Sequence, residues 1–159
     1  MLEKLISIFT KLFRKKNAKP KLVLDTSVLV AALFNKKPGR LLQQWRSGQF
    51  IWCCSPDVLR EYERILTKIP VIRKSGIQLI QELKEDKNVI WKEKPPKVHI
   101  QIDDPDDVKF VSCAASADAD YLISLDDHLL SLDRHDGTDI IRPGEYFAKY
   151  PSGLKKNKP

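Results

Sequence analysis

A buried strand, a sharp turn and a helix are predicted by residues 21–29, which read KLVLDTSVL. The Leu and Val residues of the first half end at Asp25, and Thr26 and Ser27 then offer capping hydroxyls to a second apolar run. In an open α/β sheet, ligands bind in the crevice beyond the carboxyl ends of the strands. Asp25 is therefore the first candidate for chemistry, although an Asp after a strand is often only a turn former or a helix cap.

Apolar runs and amphipathic stretches alternate along the rest of the chain, which predicts one α/β domain with a central, mainly parallel sheet. The 159 residues are enough for one well-packed domain and too few for two ordinary ones. Further strands are predicted at residues 50–54, 89–91, 121–125 and 140–141, and helices are predicted to begin near residues 38, 56, 75, 105, 129 and 143. We expect a globular unit at residues 21–150, a basic amphipathic helix and linker at residues 1–20, and a basic disordered tail at residues 151–159.

Two further aspartates stand where a helix begins or a strand ends. Asp107 is in line with the apolar face of the helix predicted near residue 105, whereas Asp106 points about 100° away. An acid on an inward face is costly unless it is exposed at a crevice, paired or bound to a cation. Asp126, like Asp25, follows a predicted strand and faces the next helix.

The helix predicted near residue 56 offers two candidate glutamates, Glu61 and Glu63. Each lies roughly 100° from the centre of the apolar stripe, on opposite flanks, so periodicity does not choose between them. A solvated flank is the ordinary alternative for both.

Cysteine and histidine spacing gives no sign of a metal site or a disulfide. Cys53, Cys54 and Cys113 lack the C-x-x-C spacing of zinc sites. Buried reduced thiols are typical of a cytosolic protein, so we expect a cytoplasmic location. The three histidines form no H-x-x-x-H pair, and none is assigned a ligand role.

The net charge of +7 is concentrated at the two ends of the sequence. Residues 1–21 hold seven Lys or Arg and one Glu, and residues 151–159 hold three Lys, which leaves a net −2 for residues 22–150. A net positive charge suggests a polyanionic partner, and here the excess of Lys and Arg lies in the two ends of the sequence.

The first 13 residues predict an amphipathic basic helix, with Leu, Ile and Phe on one face and Lys opposite. Spanning a bilayer takes about 20 apolar residues, and an unbroken signal-peptide core is absent, so no transmembrane segment is expected. Docking on the protein's own core or on a partner subunit is favoured over lying on a membrane surface.

Four stretches together resemble the PIN-domain family, and in particular its VapC-like toxin nucleases. They are residues 25–29, residues 55–66 with Glu61, residues 104–107 before an Ala-rich helix, and the run LISLDD at residues 122–127. Each stretch is weak alone, and their order and spacing make the set specific. The resemblance covers roughly residues 21–149.

This resemblance implies a doubly wound α/β/α sandwich that cleaves RNA with one or two Mg²⁺ or Mn²⁺ ions. The implied catalytic and metal-binding acids are Asp25, Glu61, Asp107 and Asp126, so the family selects Glu61 over Glu63. Ser27 is implied as a polar contact to a ligand or to a metal-bound water. The implied partners are RNA, an antitoxin protein and a second copy of the chain. The lysines expected to contact RNA phosphates are Lys15, Lys16, Lys19 and Lys21.

The sequence departs from the family at two positions. Ser27 stands where many relatives have Asn, and His128 stands where many toxins have another acid. Asp127 is a candidate substitute for that acid.

Two other functions stay open at this point. A PIN fold with an incomplete metal site would serve as an RNA-binding or assembly module. A haloacid-dehalogenase-like phosphatase would use Asp25 as its nucleophile, but that family's signature places a second Asp where this chain has Ser27.

Overall fold

A six-stranded, mainly parallel sheet with its connecting helices forms the body of the protein, which confirms the predicted α/β class. The computed structural model describes residues 1–13 and 18–151, the side chains of residues 11–13 excepted. The strands are Lys21–Leu24 (β1), Ile51–Cys54 (β2), Val89–Trp91 (β3), Tyr121–Ile123 (β4), Arg134–His135 (β5) and Thr138–Ile141 (β6). The helices are Leu2–Phe13 (α1), Thr26–Leu33 (α2), Gly39–Arg46 (α3), Pro56–Leu66 (α4), Arg73–Glu85 (α5), Val108–Ala117 (α6), Asp127–Leu130 (α7) and Pro143–Lys149 (α8).

The strand order, β3-β2-β1-β4-β6-β5, puts β1 near the middle of the sheet. The chain builds outward from β1 through β2 to β3, and then returns to place β4 on the other side of β1. All pairs are parallel except the last, β5 with β6. The change of direction between β1 and β4 leaves a crevice at their carboxyl ends, which is where ligands bind in folds of this class.

The strands nearest the middle are buried because they are almost wholly apolar. Leu22, Val23 and Leu24 of β1 are inaccessible to solvent, as are residues 52–54 of β2. Strands of parallel sheets are covered on both faces, so they read as continuous apolar runs instead of alternating ones. The predicted strands at residues 21–24 and 50–54 were therefore identifiable from composition alone.

Element ends differ from the predictions where side chains take part in local hydrogen bonds. The strand predicted at residues 121–125 ends at Ile123, because Ser124 turns its hydroxyl toward Asp25. The helix predicted near residue 105 begins with a 3₁₀ turn, Pro105–Asp107, before α6. The helix predicted near residue 129 begins two residues earlier, at Asp127.

A two-residue hairpin turn joins β5 to β6. Asp136 and Gly137 both have positive φ, 49° and 83°, which is the backbone of the type I′ turn that matches strand twist. The short antiparallel strand β5 is not among the strands predicted from the sequence.

Helix α1 does not pack on the protein's own core, one of the two arrangements favoured from the sequence. Its described apolar side chains neither belong to the hydrophobic core nor pack against it. No helix in the described ranges is long and apolar enough to cross a membrane. Lys15, Lys16 and most of the predicted tail lie outside the described residues.

Candidate functional site

Asp25 lies at the carboxyl end of β1, in the crevice beside β4. Its backbone amide donates to the carbonyl of Ile123 (2.9 Å), which fixes the residue against β4. The side chain is 4% exposed, and its Oδ2 atom accepts hydrogen bonds from Ser27 (2.6 Å) and Ser124 (2.8 Å). Burial raises the pKa of Asp25, the two hydroxyl donors oppose that change, and the charge of Asp126 adds to it.

Asp107 ends the 3₁₀ turn before α6 and is 8% exposed, as expected for an acid at the head of an inward face. Its Oδ2 atom is buried without a hydrogen-bond partner among the described residues. Burial and then the charges of neighbouring acids raise the pKa of Asp107 from its ordinary 3.8 to about 7; the acids are Asp25, Asp126, Asp104 and Glu61. A buried acid that lacks a donor and faces several acids requires a proton or a cation.

Glu61 reaches the same region from α4. Its Oε2 atom accepts a hydrogen bond from Thr26 (2.7 Å), and its Oε1 atom lies 3.2 Å from the Lys109 ammonium. The neighbouring Tyr62 hydroxyl donates to the carbonyl of Leu24, the residue before Asp25, and so ties α4 to the end of β1.

Glu63 points to the other flank of α4, where it pairs with Lys84 of α5 (2.8 Å). The fold thus distinguishes the two glutamates that helical periodicity left equivalent.

Asp126 caps the N-terminus of α7, beside the end of β4. Its Oδ1 atom accepts from the backbone amide of His128 (2.9 Å), and its own amide donates to the Ser124 hydroxyl (2.9 Å). Ser124 therefore contacts both Asp25 and Asp126, and it is fully buried between them.

The structure brings Asp25, Glu61, Asp107 and Asp126 into one electrostatic cluster, since the charges of the other three all act on Asp107. Among the described residues, however, no three His, Cys, Asp or Glu side chains are already placed as a metal-holding group. The donor set is nevertheless of the type that hard divalent cations prefer, because it consists of carboxylate and hydroxyl oxygens. The buried, partnerless Oδ2 atom of Asp107 is the position where such a cation would remove an energetic cost.

Three other predicted site residues have side-chain partners outside this cluster. Asp127, the candidate substitute for the missing acid, is exposed and contacts the Arg142 guanidinium (2.5 Å). His128 contacts Asp103 through its ring (2.9 Å). Lys21 is the first residue of β1, so it lies at the end of the strand opposite to the acids. Its ammonium donates to the carbonyl of Ala117 (2.9 Å), and Lys19 precedes it.

Three residues of the site were not singled out from the sequence: Thr26, Lys109 and Ser124. Thr26 and Ser27 were expected to cap α2, yet both hydroxyls bond to site acids. Lys109 carries a detectable signal, a cation two residues after an inward-facing acid. The sequence gives no such signal for Ser124, because its role depends on β1 and β4 being neighbours in the sheet.

Two grooves follow strands on opposite sides of β1, and neither is lined by the four acids themselves. One, of about 300 Å³, follows β2 and β3 and is lined by Lys97, His99 and Lys109 among others. The second, of about 380 Å³, follows β4 and β6, and its lining includes Lys37, Leu125 and Arg142. Each groove thus presents cations, and Lys109 of the first groove also contacts Glu61.

Comparison with known proteins gives one family match. A family model described as PIN domain matches residues 21–128, more than half of the chain. Among solved structures, the chain is similar to VapBC2 from Rickettsia felis bound to a DNA fragment from its promoter. That likeness has 14% identity, a TM-score of 0.49, and coverage of 76% of this chain and 96% of the other. No curated protein matches.

Proposed function

The chain belongs to the PIN-domain family, and from this premise we propose that it is a divalent-metal-dependent endoribonuclease that hydrolyses RNA phosphodiester bonds. The single observation that carries the proposal is the buried Oδ2 atom of Asp107, which has no donor and lies among the charges of other acids. A carboxylate in that environment binds a cation more readily than it stays ionised alone.

Asp25, Glu61, Asp107 and Asp126 are the residues that would hold one or two Mg²⁺ or Mn²⁺ ions. When bound, such ions lower the pKa of a water and stabilise the charge that develops on the phosphate oxygens. The chain's own contribution is orientation. The Ser124 hydroxyl donates to the Asp25 carboxylate and accepts from the Asp126 backbone amide, so it links the two residues.

Thr26 and Lys109 hold the two oxygens of Glu61, and Lys109 also adds a positive charge at the edge of the site. The crevice position of these groups at the end of β1 admits a substrate from solvent.

The RNA strand is proposed to cross the acidic cluster from one groove to the other. Lys97 on one side and Lys37 on the other are exposed, so they would neutralise phosphates without first losing a buried partner. Lys19 and Lys21 lie at the far edge of the sheet and are not part of this path.

The chain is further proposed to act as the toxin of a toxin-antitoxin pair, on the basis of family membership and the VapC-like motifs. Expression of the protein should then arrest growth, expression of Asp25→Asn should not, and a small protein encoded next to the gene should relieve the arrest.

The decisive experiment measures cleavage of single-stranded RNA by purified protein in Mn²⁺ or Mg²⁺. Asp107→Asn should abolish cleavage and weaken Mn²⁺ binding, because it removes a site carboxylate. Asp106→Asn changes the exposed neighbouring acid and is the matched control that should keep both properties. On α4, Glu61→Gln should likewise abolish cleavage and weaken Mn²⁺ binding, and Glu63→Gln is its matched control. Equal cleavage by Asp107→Asn and wild type would overturn the assignment.

A second candidate function rests on the finding that, among the described residues, no three His, Cys, Asp or Glu side chains are already arranged to hold a metal ion. In that case the protein would bind RNA as a PIN-fold module without cleaving it. RNA binding without measurable Mn²⁺ binding would favour this alternative. The haloacid-dehalogenase-like alternative gains no support from the family match.

A further inference from the structure

Helix α1 presents its apolar side chains to solvent. Six of the eleven large hydrophobic residues that are exposed in the described chain lie within the first nine positions. The exposed fractions are 72% for Leu2, 53% for Leu5, 55% for Ile6, 47% for Ile8 and 60% for Phe9. Single exposed apolar residues are ordinary, but a contiguous exposed patch marks an interaction surface.

The polar side of α1 is the side that touches the rest of the protein. The Ser7 hydroxyl donates to Asp118 Oδ1 (2.9 Å), and Ser7 is the only half-buried residue of positions 1–10. Leu5 and Phe9 each lie two positions from Ser7, which is about 160° around a helix. The helix is therefore held by its polar face, and its apolar face is directed away from the body.

The segment that contains α1 is strongly cationic. Residues 1–19 hold six Lys or Arg and one Glu. By helical periodicity of the sequence alone, Lys4 and Lys11 fall opposite the apolar residues, near the border of the apolar arc. From there a long aliphatic stem can run along an apolar surface while the ammonium stays in a layer of anionic groups.

We propose that α1 binds the surface of an anionic lipid bilayer, with its apolar face in the headgroup region and its lysines against lipid phosphates. An apolar face bordered by cations is complementary to such a surface. A second copy of the helix is a poorer occupant, because it would bring a second cationic segment of like charge. Moreover, 12 residues give a face only about 18 Å long and about 10 Å wide, far smaller than the roughly 800 Å² per partner of a standard interface.

The place where α1 docks determines how the protein would sit on the membrane. Asp118 follows α6 and precedes β4, so the contact lies at the edge where the parallel strands begin. The acidic cluster lies at the opposite edge, where β1 and β4 end. A bilayer bound by α1 would thus leave the site open to the aqueous phase, and lipid binding is independent of the catalytic acids.

The test is sedimentation of the full chain with vesicles of phosphatidylglycerol and phosphatidylcholine, compared with vesicles of phosphatidylcholine alone. Wild type should bind the anionic vesicles at least tenfold more tightly than the neutral ones. Leu5→Ser with Phe9→Ser should abolish binding. Val71→Ser with Ile77→Ser is the matched control, since those residues are 81% and 49% exposed elsewhere on the surface, and it should bind like wild type.

The charge requirement is tested by Lys4→Gln with Lys11→Gln, which should weaken vesicle binding by roughly fivefold per lysine. Lys68→Gln with Lys74→Gln, both exposed in the body, should leave it unchanged. Asp25→Asn should also leave it unchanged, whatever its effect on RNA. Melting temperatures and light scattering of every variant report folding and oligomeric state.

Three results would each overturn the proposal. The first is no vesicle binding by wild type at low ionic strength. The second is a wild-type dimer that Leu5→Ser with Phe9→Ser converts to a monomer, since the face would then join two copies. The third is binding of single-stranded RNA that depends on Lys4 and Lys11 while vesicle binding does not.

Discussion

The carboxyl of Asp107 keeps its proton far above the pH at which an aspartate in water loses it. Its pKa is raised from an ordinary 3.8 to about 7, with burial as the largest cause. Below pH 4 the folded and unfolded chains both carry this proton, so it does not affect stability. Between about pH 4 and pH 7 only the folded chain retains it, so stability falls as the pH rises through this range.

Asp107→Asn should therefore stabilise the metal-free protein at pH 7.5 and have much less effect at pH 4. The expected rise in melting temperature at pH 7.5 is about 3 °C or more, which corresponds to roughly 1 kcal/mol in a domain of this size. Calorimetry in the presence of a chelator measures it. Asp106→Asn should show no such dependence on pH, and an equal gain in both variants would contradict the explanation.

Mn²⁺ should stabilise wild type much more than Asp107→Asn. A ligand that binds only the folded state adds about 2.7 kcal/mol at one hundred times its dissociation constant. Wild type should gain melting temperature on addition of Mn²⁺ at pH 7.5, and Asp107→Asn should gain little. A wild-type melting temperature that does not change on addition of Mn²⁺ would contradict a metal site.

At the scale of elements, the site depends on how α4 is attached to β1. The Tyr62 hydroxyl bonds to the Leu24 carbonyl in the buried interior, one residue from Asp25 and one from Glu61. Tyr62→Phe keeps the packed ring but leaves that carbonyl without its donor, at a cost of about 1–3 kcal/mol. We expect a lower melting temperature together with weaker Mn²⁺ binding, because Glu61 loses its fixed position. Stability loss with unchanged Mn²⁺ affinity would show that α4 is positioned by other contacts.

The elements also show which parts of the site are encoded locally. Asp25 and the inward position of Asp107 follow from an apolar run and from helical periodicity, both of which are properties of neighbouring residues in the sequence. The choice between Glu61 and Glu63 depends on Thr26 and Lys84, which belong to other elements. For the same reason the outward direction of the apolar face of α1 could not be deduced from its own amphipathic pattern.

At the scale of the whole molecule, cationic groups lie both beside the acids and at the far edge of the sheet. Lys37→Gln with Lys97→Gln should flatten the slope of log affinity for single-stranded RNA against log salt by about 1.4, or roughly 0.7 per lost phosphate contact. Lys19→Gln with Lys21→Gln should leave the slope unchanged. Filter binding at several salt concentrations measures both, with melting temperatures as the check on folding. If Lys19→Gln with Lys21→Gln flattens the slope and Lys37→Gln with Lys97→Gln does not, the result would support the expectation from the sequence that Lys19 and Lys21 contact RNA.

The sheet has short edges on both sides. Strand β5 has two residues and β3 has three, so a neighbouring chain that added a strand would form only a few main-chain hydrogen bonds. On the β5 side it would also approach the exposed Arg134 guanidinium, which pairs with Asp139. Growth of the sheet from molecule to molecule, the route to fibrils, is thus disfavoured by strand length at both edges. We therefore expect any dimer of this protein to form through its helices and loops.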